Sequence, residues 1–129
     1  MATNPDPAAQ RFPAPAAGRD LEFNLQKEVD RLRSEPAWSS GRNARTLVKH
    51  PDFRVVLTVV RGGIRIREHR AAGRISVETV AGHICMHLPG KTVDMPVGSL
   101  LALDRDVPHD VEAVTDSAFL LTIAWPEQQ

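Results

Sequence analysis

Two histidines, His69 and His109, bracket a stretch that opens at Gly62-Gly63 and is cut into short apolar runs by glycine and proline. An imidazole can donate or accept a hydrogen bond, ligate a metal through a ring nitrogen, or change charge near neutral pH. Two of them in one cavity supply polar points in an apolar wall, or half of a metal site. Asp106, three residues before His109 in a loop, is the carboxylate best placed to join them, while Glu68 and Asp110 adjoin the histidines and by alternation project to the opposite face. His83, Cys85 and His87 form a second grouping, since alternate residues of a strand share a face, and their donors suit a soft metal. At about 3.3 Å per residue, His83 and His87 stand about 13 Å apart, too far for all three to hold one small ion. An adjacent pair stays within reach. The spacing favours a mixed-polarity outer face, with Ile84, Met86 and Leu88 filling the core.

Five arginines, Arg61, Arg65, Arg67, Arg70 and Arg74, crowd the first histidine. Strict alternation puts Arg65, Arg67 and His69 on one face and Ile64 and Ile66 on the other, so both sets cannot face the core without cost. A bulge near Arg67-Glu68 would shift the parity, turning the isoleucines and His69 inward and leaving the arginines in solvent. Without it, the arginines would line the pocket and favour a carboxylate or phosphate. The cost of burying an isolated guanidinium favours the bulge.

The elements that must position these groups are strands. Phe53, Val55, Leu57 and Val59 alternate with Arg54, Val56, Thr58 and Val60, as in a strand buried on one face and partly covered on the other. The period of two returns at Ile64 and Ile66, Ile75 and Val77, Ile84 to Leu88, Val93 to Val97, Leu101 and Leu103, Val111 and Ala113, and Phe119 to Ile123. Turns are expected at Gly62-Gly63, Ala72-Gly73, Ala81-Gly82, Pro89-Gly90, Pro96-Val97-Gly98 and Asp104-Arg105-Asp106. Many short strands without crossover helices predict an all-β antiparallel sandwich or barrel. Ahead of them, residues 1–19 are rich in alanine and proline and read as a flexible tail. Residues 20–45 form a helix and loop: Leu25, Val29 and Leu32 recur at helical spacing, Asn24 can cap the first turn, and Pro36 stops it. That short amphipathic helix needs an apolar surface, from the body of the fold or a partner subunit. Ala37 to Arg45 reads as loop, His50 beside Pro51 as an ordinary loop residue, and the barrel is expected over 46–126.

The chain has 129 residues, enough for one domain with a sizeable core. Sixteen Lys+Arg balance sixteen Asp+Glu, which gives no electrostatic reason to expect nucleic acid or an anionic membrane. No apolar run approaches the roughly 20 residues of a membrane-spanning helix. Cys85 is the only cysteine, and the first ten residues lack a signal-like apolar core, so cytoplasmic residence is the expectation.

Two segments resemble the paired motifs of the cupin superfamily. The first motif runs glycine, five residues, His-x-His, a short spacer, glutamate, six residues, glycine; here Gly63 precedes His69 at that spacing and Gly82 closes it. In the second, Gly98 and His109 fit, while Asp104, Asp106 and Ala113 occupy the proline, glycine and asparagine positions. The resemblance covers residues 63–113. It implies a double-stranded β-helix, or jelly-roll barrel, often homodimeric, with a pocket at its mouth. It also implies metal ligands at both histidines and the glutamate of the first motif and at the histidine of the second. This chain keeps His69 and His109 but has Ala71 at the second histidine position and Ile75, or Ser76 with the longer spacer, at the glutamate. Two imidazoles alone make a poor site for zinc or non-haem iron, which take three protein ligands.

The leading expectation is a small cupin-like domain that binds a small molecule in a largely apolar pocket lined by His69, Ala71, Ile75, Val77, Met86 and His109, without a full metal site. The alternative is a metal-dependent oxygenase or isomerase, by resemblance, in which His69, His109 and Asp106 hold a divalent transition metal.

Overall fold

The computed structural model describes residues 19–125, so all but Arg19 of the expected tail lies outside the described residues. The stripe of Leu25, Val29 and Leu32 forms helix α1, Leu25–Ser34. Its first turn is capped by Asn24, whose side chain accepts the Lys27 N–H at 3.0 Å. The chain leaves it at Glu35, extended ahead of Pro36. A 3-10 turn over Pro36–Ser40 follows and carries Trp38. The guanidinium groups of Arg61 and Arg33 lie 4.8 and 5.7 Å from the Trp38 ring centroid.

Among the described residues nine strands follow: β1 Arg42–His50, β2 Phe53–Val60, β3 Arg65–His69, β4 Arg74–Ala81, β5 His83–Leu88, β6 Lys91–Pro96, β7 Leu100–Leu103, β8 His109–Ala113 and β9 Ser117–Ala124. They form a five-stranded sheet, β1-β2-β9-β4-β7, and a four-stranded sheet, β3-β8-β5-β6. Every pairing is antiparallel. Each expected strand is present, and each expected turn separates two of them. The one misplacement is β1, which begins at Arg42 inside the expected loop and ahead of the expected barrel boundary. Arg42, Asn43, Ala44 and Arg45 show no apolar alternation, yet they pair with Val60, Val59, Thr58 and Leu57. A partner as strongly β-forming as β2 imposes strand geometry on a neighbour with little preference of its own. His50 likewise ends β1, opposite Phe53.

Burial falls into two layers. Between the sheets, Val60, Ile66, Ile75, Val77, Ile84, Met86, Val111 and Phe119 form the barrel core. On the outer face of the five-stranded sheet, Val29 and Leu32 of α1 pack on Leu47, Leu57, Val59 and Ala118. The apolar stripe of the helix is therefore satisfied by its own chain. Glu28 of α1 also pairs with Arg45 of β1, and Asn43 donates to the Leu32 carbonyl at 3.0 Å and to Glu35 Oε1 at 2.8 Å. This explains why both faces of β2 are apolar: one meets the barrel interior and the other meets α1. The bend from β4 into β5 depends on Gly82, at φ +75°, where an added Cβ would lie 2.2 Å from the Asp116 carbonyl oxygen.

Candidate functional site

The site is positioned by β3 and β8. Ile66 pairs with Val111, and His69 with His109, so three steps on β3 match two on β8. That extra residue is the bulge expected near Arg67-Glu68; it shifts the parity of β3 between Ile66 and His69, while Arg65 and Arg67 stand exposed on either side of the buried Ile66. Arg65 Nε donates to Asp110 Oδ2 at 2.9 Å on the outer face. The backbone register thus sets the two histidines directly opposite each other, although forty residues separate them in sequence. The side chains of Glu68 and His69 lie outside what the structure describes.

Next to this pair is a cavity of about 440 Å³ between the sheets. Its apolar wall comes from Ile66 of β3, Ala71 after it, Ile75 and Val77 of β4, Val111 of β8, and Phe119, Leu121 and Ile123 of β9. Its polar residues are His109 and Thr58, with the exposed Arg42 and Arg70; Asn43 adjoins the cavity, but its side chain is bonded to Leu32 and Glu35. His109 is only 7% exposed, and its Nδ1 donates to the Val107 carbonyl at 3.0 Å. A carbonyl can only accept, so Nδ1 carries the proton of this hydrogen bond.

Of the residues expected to line a pocket, Ala71, Ile75, Val77 and His109 do so. Met86 does not: it is fully buried in the barrel core and absent from the cavity wall. Strand β5 sits beyond β8 from β3, so its inward side chains are sealed between the layers away from the cavity. Asp106 is also displaced from its expected role. It is exposed, in a left-handed turn at φ 61°, and its backbone N–H donates to the Ala71 carbonyl at 2.9 Å. It belongs to the loop that closes on Ala71 and is not part of the cavity wall. Sequence reasoning missed Arg42 and Thr58, and the part played by β9. The alternation of Phe119, Leu121 and Ile123 was visible, but nothing local revealed that β9 lies between β2 and β4.

The metal set implied by the cupin resemblance does not fit this cavity. Ala71 and Ile75 occupy two of its ligand positions and offer no electron pair, and both stand in the wall. Ser76, the other reading of the glutamate position, alternates with the inward-facing Ile75 and Val77 and so lies on the opposite face of β4.

Donors accumulate instead on the outer face of the four-stranded sheet. His83 Nε2 is 2.5 Å from Asp94 Oδ1, and Cys85 Sγ donates to the same oxygen at 3.7 Å. His87 turns elsewhere, with Nε2 2.7 Å from Glu112 Oε1 and Nδ1 3.2 Å from Thr92 Oγ1. The three strand neighbours therefore do not converge. Burial, the hydrogen bond to Asp94 and the negative charges of Asp94 and Glu112 push the Cys85 thiol above its ordinary pKa.

No family model matches this sequence, and no curated protein is detectably similar to it. Solved structures are similar in fold. A conserved protein of unknown function from Streptococcus pyogenes superposes with TM-score 0.71 at 21% identity, over 91% of this chain and 96% of that one. An RmlC-like cupin from Desulfovibrio desulfuricans gives TM-score 0.61 at 21% identity, over 82% and 90%. A glycine-to-alanine mutant of salicylate 1,2-dioxygenase from Pseudoaminobacter salicylatoxidans gives TM-score 0.71 at 14% identity, over 79% of this chain but 34% of its own. Two stacked antiparallel sheets, a cavity between them and this agreement with cupin structures lead to one statement: the chain has the cupin fold.

Proposed function

We propose that this protein binds a small organic molecule in the barrel cavity, with an apolar body against β4 and β9 and a polar or acidic group toward His109 and the arginines. The observation that carries this reading is the wall itself. Its volume lies within the range of small-ligand sites, and its surface is apolar with a few polar points, the composition that holds and orients such ligands. The His109 imidazole in the wall supplies one directional contact, and the register opposite it makes His69 the expected second. Arg42 and Arg70 match a carboxylate through paired hydrogen bonds. Ala71 and Ile75, where a ligated metal would need donors, favour binding over metal-dependent oxygenation or isomerisation in this cavity.

The test is native mass spectrometry of untagged full-length protein, joined to elemental analysis. The expected result is an organic adduct on the wild type, reduced in His109→Ala and lost in the His69→Ala, His109→Ala double variant. Retention of the adduct in the double variant would remove both histidines from the site. A stoichiometric metal lost with His109→Ala would replace this reading by the metal-dependent one.

A further inference from the structure

The two faces of β5 carry different chemistry, and the outer one holds a donor set that the cavity lacks. We propose that His83, Cys85 and Asp94 form a binding site for a divalent cation of the zinc class on the outer face of the four-stranded sheet.

One ligand atom from each residue lies within 4.8 Å of the other two. The convergence follows from hairpin register: Cys85 sits directly opposite Asp94, and His83 is two residues along the same face. Nitrogen, sulfur and carboxylate oxygen suit zinc or cobalt, whereas calcium and magnesium require oxygen-rich shells. Bonds of about 2.0 to 2.3 Å at tetrahedral angles place donors about 3.3 to 3.8 Å apart. The Cys85 to Asp94 separation of 3.7 Å already meets that spacing. The His83 to Asp94 separation of 2.5 Å is a hydrogen bond, and it opens by about 1 Å when an ion takes the place of the shared proton. The Asp94 side chain is 68% exposed and free of packing that would resist this movement, and solvent can supply a fourth ligand.

The surroundings favour a cation. Glu112 stands opposite Cys85 on its other side, from β8. Arg65 of β3, paired in register with Glu112, is engaged by Asp110. Thus two carboxylates flank the sulfur, and their negative charge draws a divalent ion to it. On binding, the thiol proton and the proton shared by His83 and Asp94 pass to solvent, and each donor gives its electron pair to the ion. The His87 ring, held by Glu112 and Thr92, stays outside the set.

Cobalt(II) alone is the probe, titrated into untagged full-length protein under a phosphine reductant. The expected result is one equivalent bound with a thiolate-to-cobalt charge-transfer band and the visible bands of tetrahedral coordination. Cys85→Ser should abolish the charge-transfer band. His83→Ala and Asp94→Asn should each weaken binding by at least about tenfold, the lower end of losses seen even for groups beyond the ligands. His109→Ala should change neither, which separates this site from the cavity. Circular dichroism confirms that each variant is folded. A wild type without the charge-transfer band, or a band that survives Cys85→Ser, would overturn the proposal.

Discussion

Strands β5 and β8 present two surfaces that share a backbone and little else. Inward, Ile84, Met86, Val111 and Ala113 are packed almost beyond reach of solvent, with His109 buried at the cavity. Outward, His83, Cys85, His87, Asp110 and Glu112 are half-buried or exposed and linked by hydrogen bonds. The cavity has apolar side chains where the cupin resemblance implies ligands, and the opposite surface has gathered ligand-type side chains. The period of two makes this separation possible. Neighbouring residues answer to different environments, so one face can lose metal donors while the other acquires them without disturbing the core.

The largest expected contrast between the faces is in stability. Met86→Ala should lower the unfolding free energy by about 2 to 5 kcal/mol, because the buried side chain leaves a cavity behind. Cys85→Ala, one residue away, should cost no more than about 1 kcal/mol. Urea denaturation of both variants checks this, and equal losses would break the comparison. A smaller effect concerns reactivity. The raised pKa of Cys85 means less thiolate than a free thiol at mildly alkaline pH, so iodoacetamide should label the folded protein more slowly than free cysteine. Asp94→Asn removes the negative charge beside the thiol and leaves only a neutral acceptor, and should speed labelling. An unchanged rate would mean that the outer carboxylate does not govern the sulfur.

Smaller still is the ion pair between Arg65 and Asp110, which has a partly exposed guanidinium and should contribute about 0 to 1 kcal/mol in a double-mutant cycle. The smallest effect belongs to Asp104, held below the ordinary carboxylate range by the Arg105 N–H and the Arg74 guanidinium. A depressed folded pKa contributes stability above the unfolded value and loses it as pH falls through the folded value. Wild type should therefore exceed Asp104→Asn in melting temperature at neutral pH, and the difference should close in acid. A gap that persists at low pH would show that charge is not its source.

Much of this architecture is legible in the sequence because alternation and turn residues are local. The runs from Phe53 onward and the glycine and proline turns locate β2 to β9, and the conflict between Ile66 and His69 exposes the bulge. What escaped was non-local. Arg42 to Arg45 become strand only because β2 is beside them, and Met86 misses the cavity because β8 intervenes. Asp94 was overlooked for a different reason, since its signal was available. A tight turn at Pro89-Gly90 pairs Leu88 with Lys91, and counting back from there puts Asp94 opposite Cys85. His83, Cys85 and His87 diverge along their own strand, and only the register across the hairpin brings Asp94 to two of them.

The role of the cavity as a binding site is tested most directly by a probe titration. Anilinonaphthalene sulfonate pairs an apolar body with an anionic group, and its fluorescence rises when it leaves water. Full-length wild type under native conditions should bind one equivalent saturably, and Ala71→Phe, which fills the space beside Ile75 and His109, should weaken binding by at least about tenfold, or about 1.4 kcal/mol. Absence of saturable binding, or equal affinity in a folded Ala71→Phe variant, would contradict the assignment of this cavity to a small organic ligand.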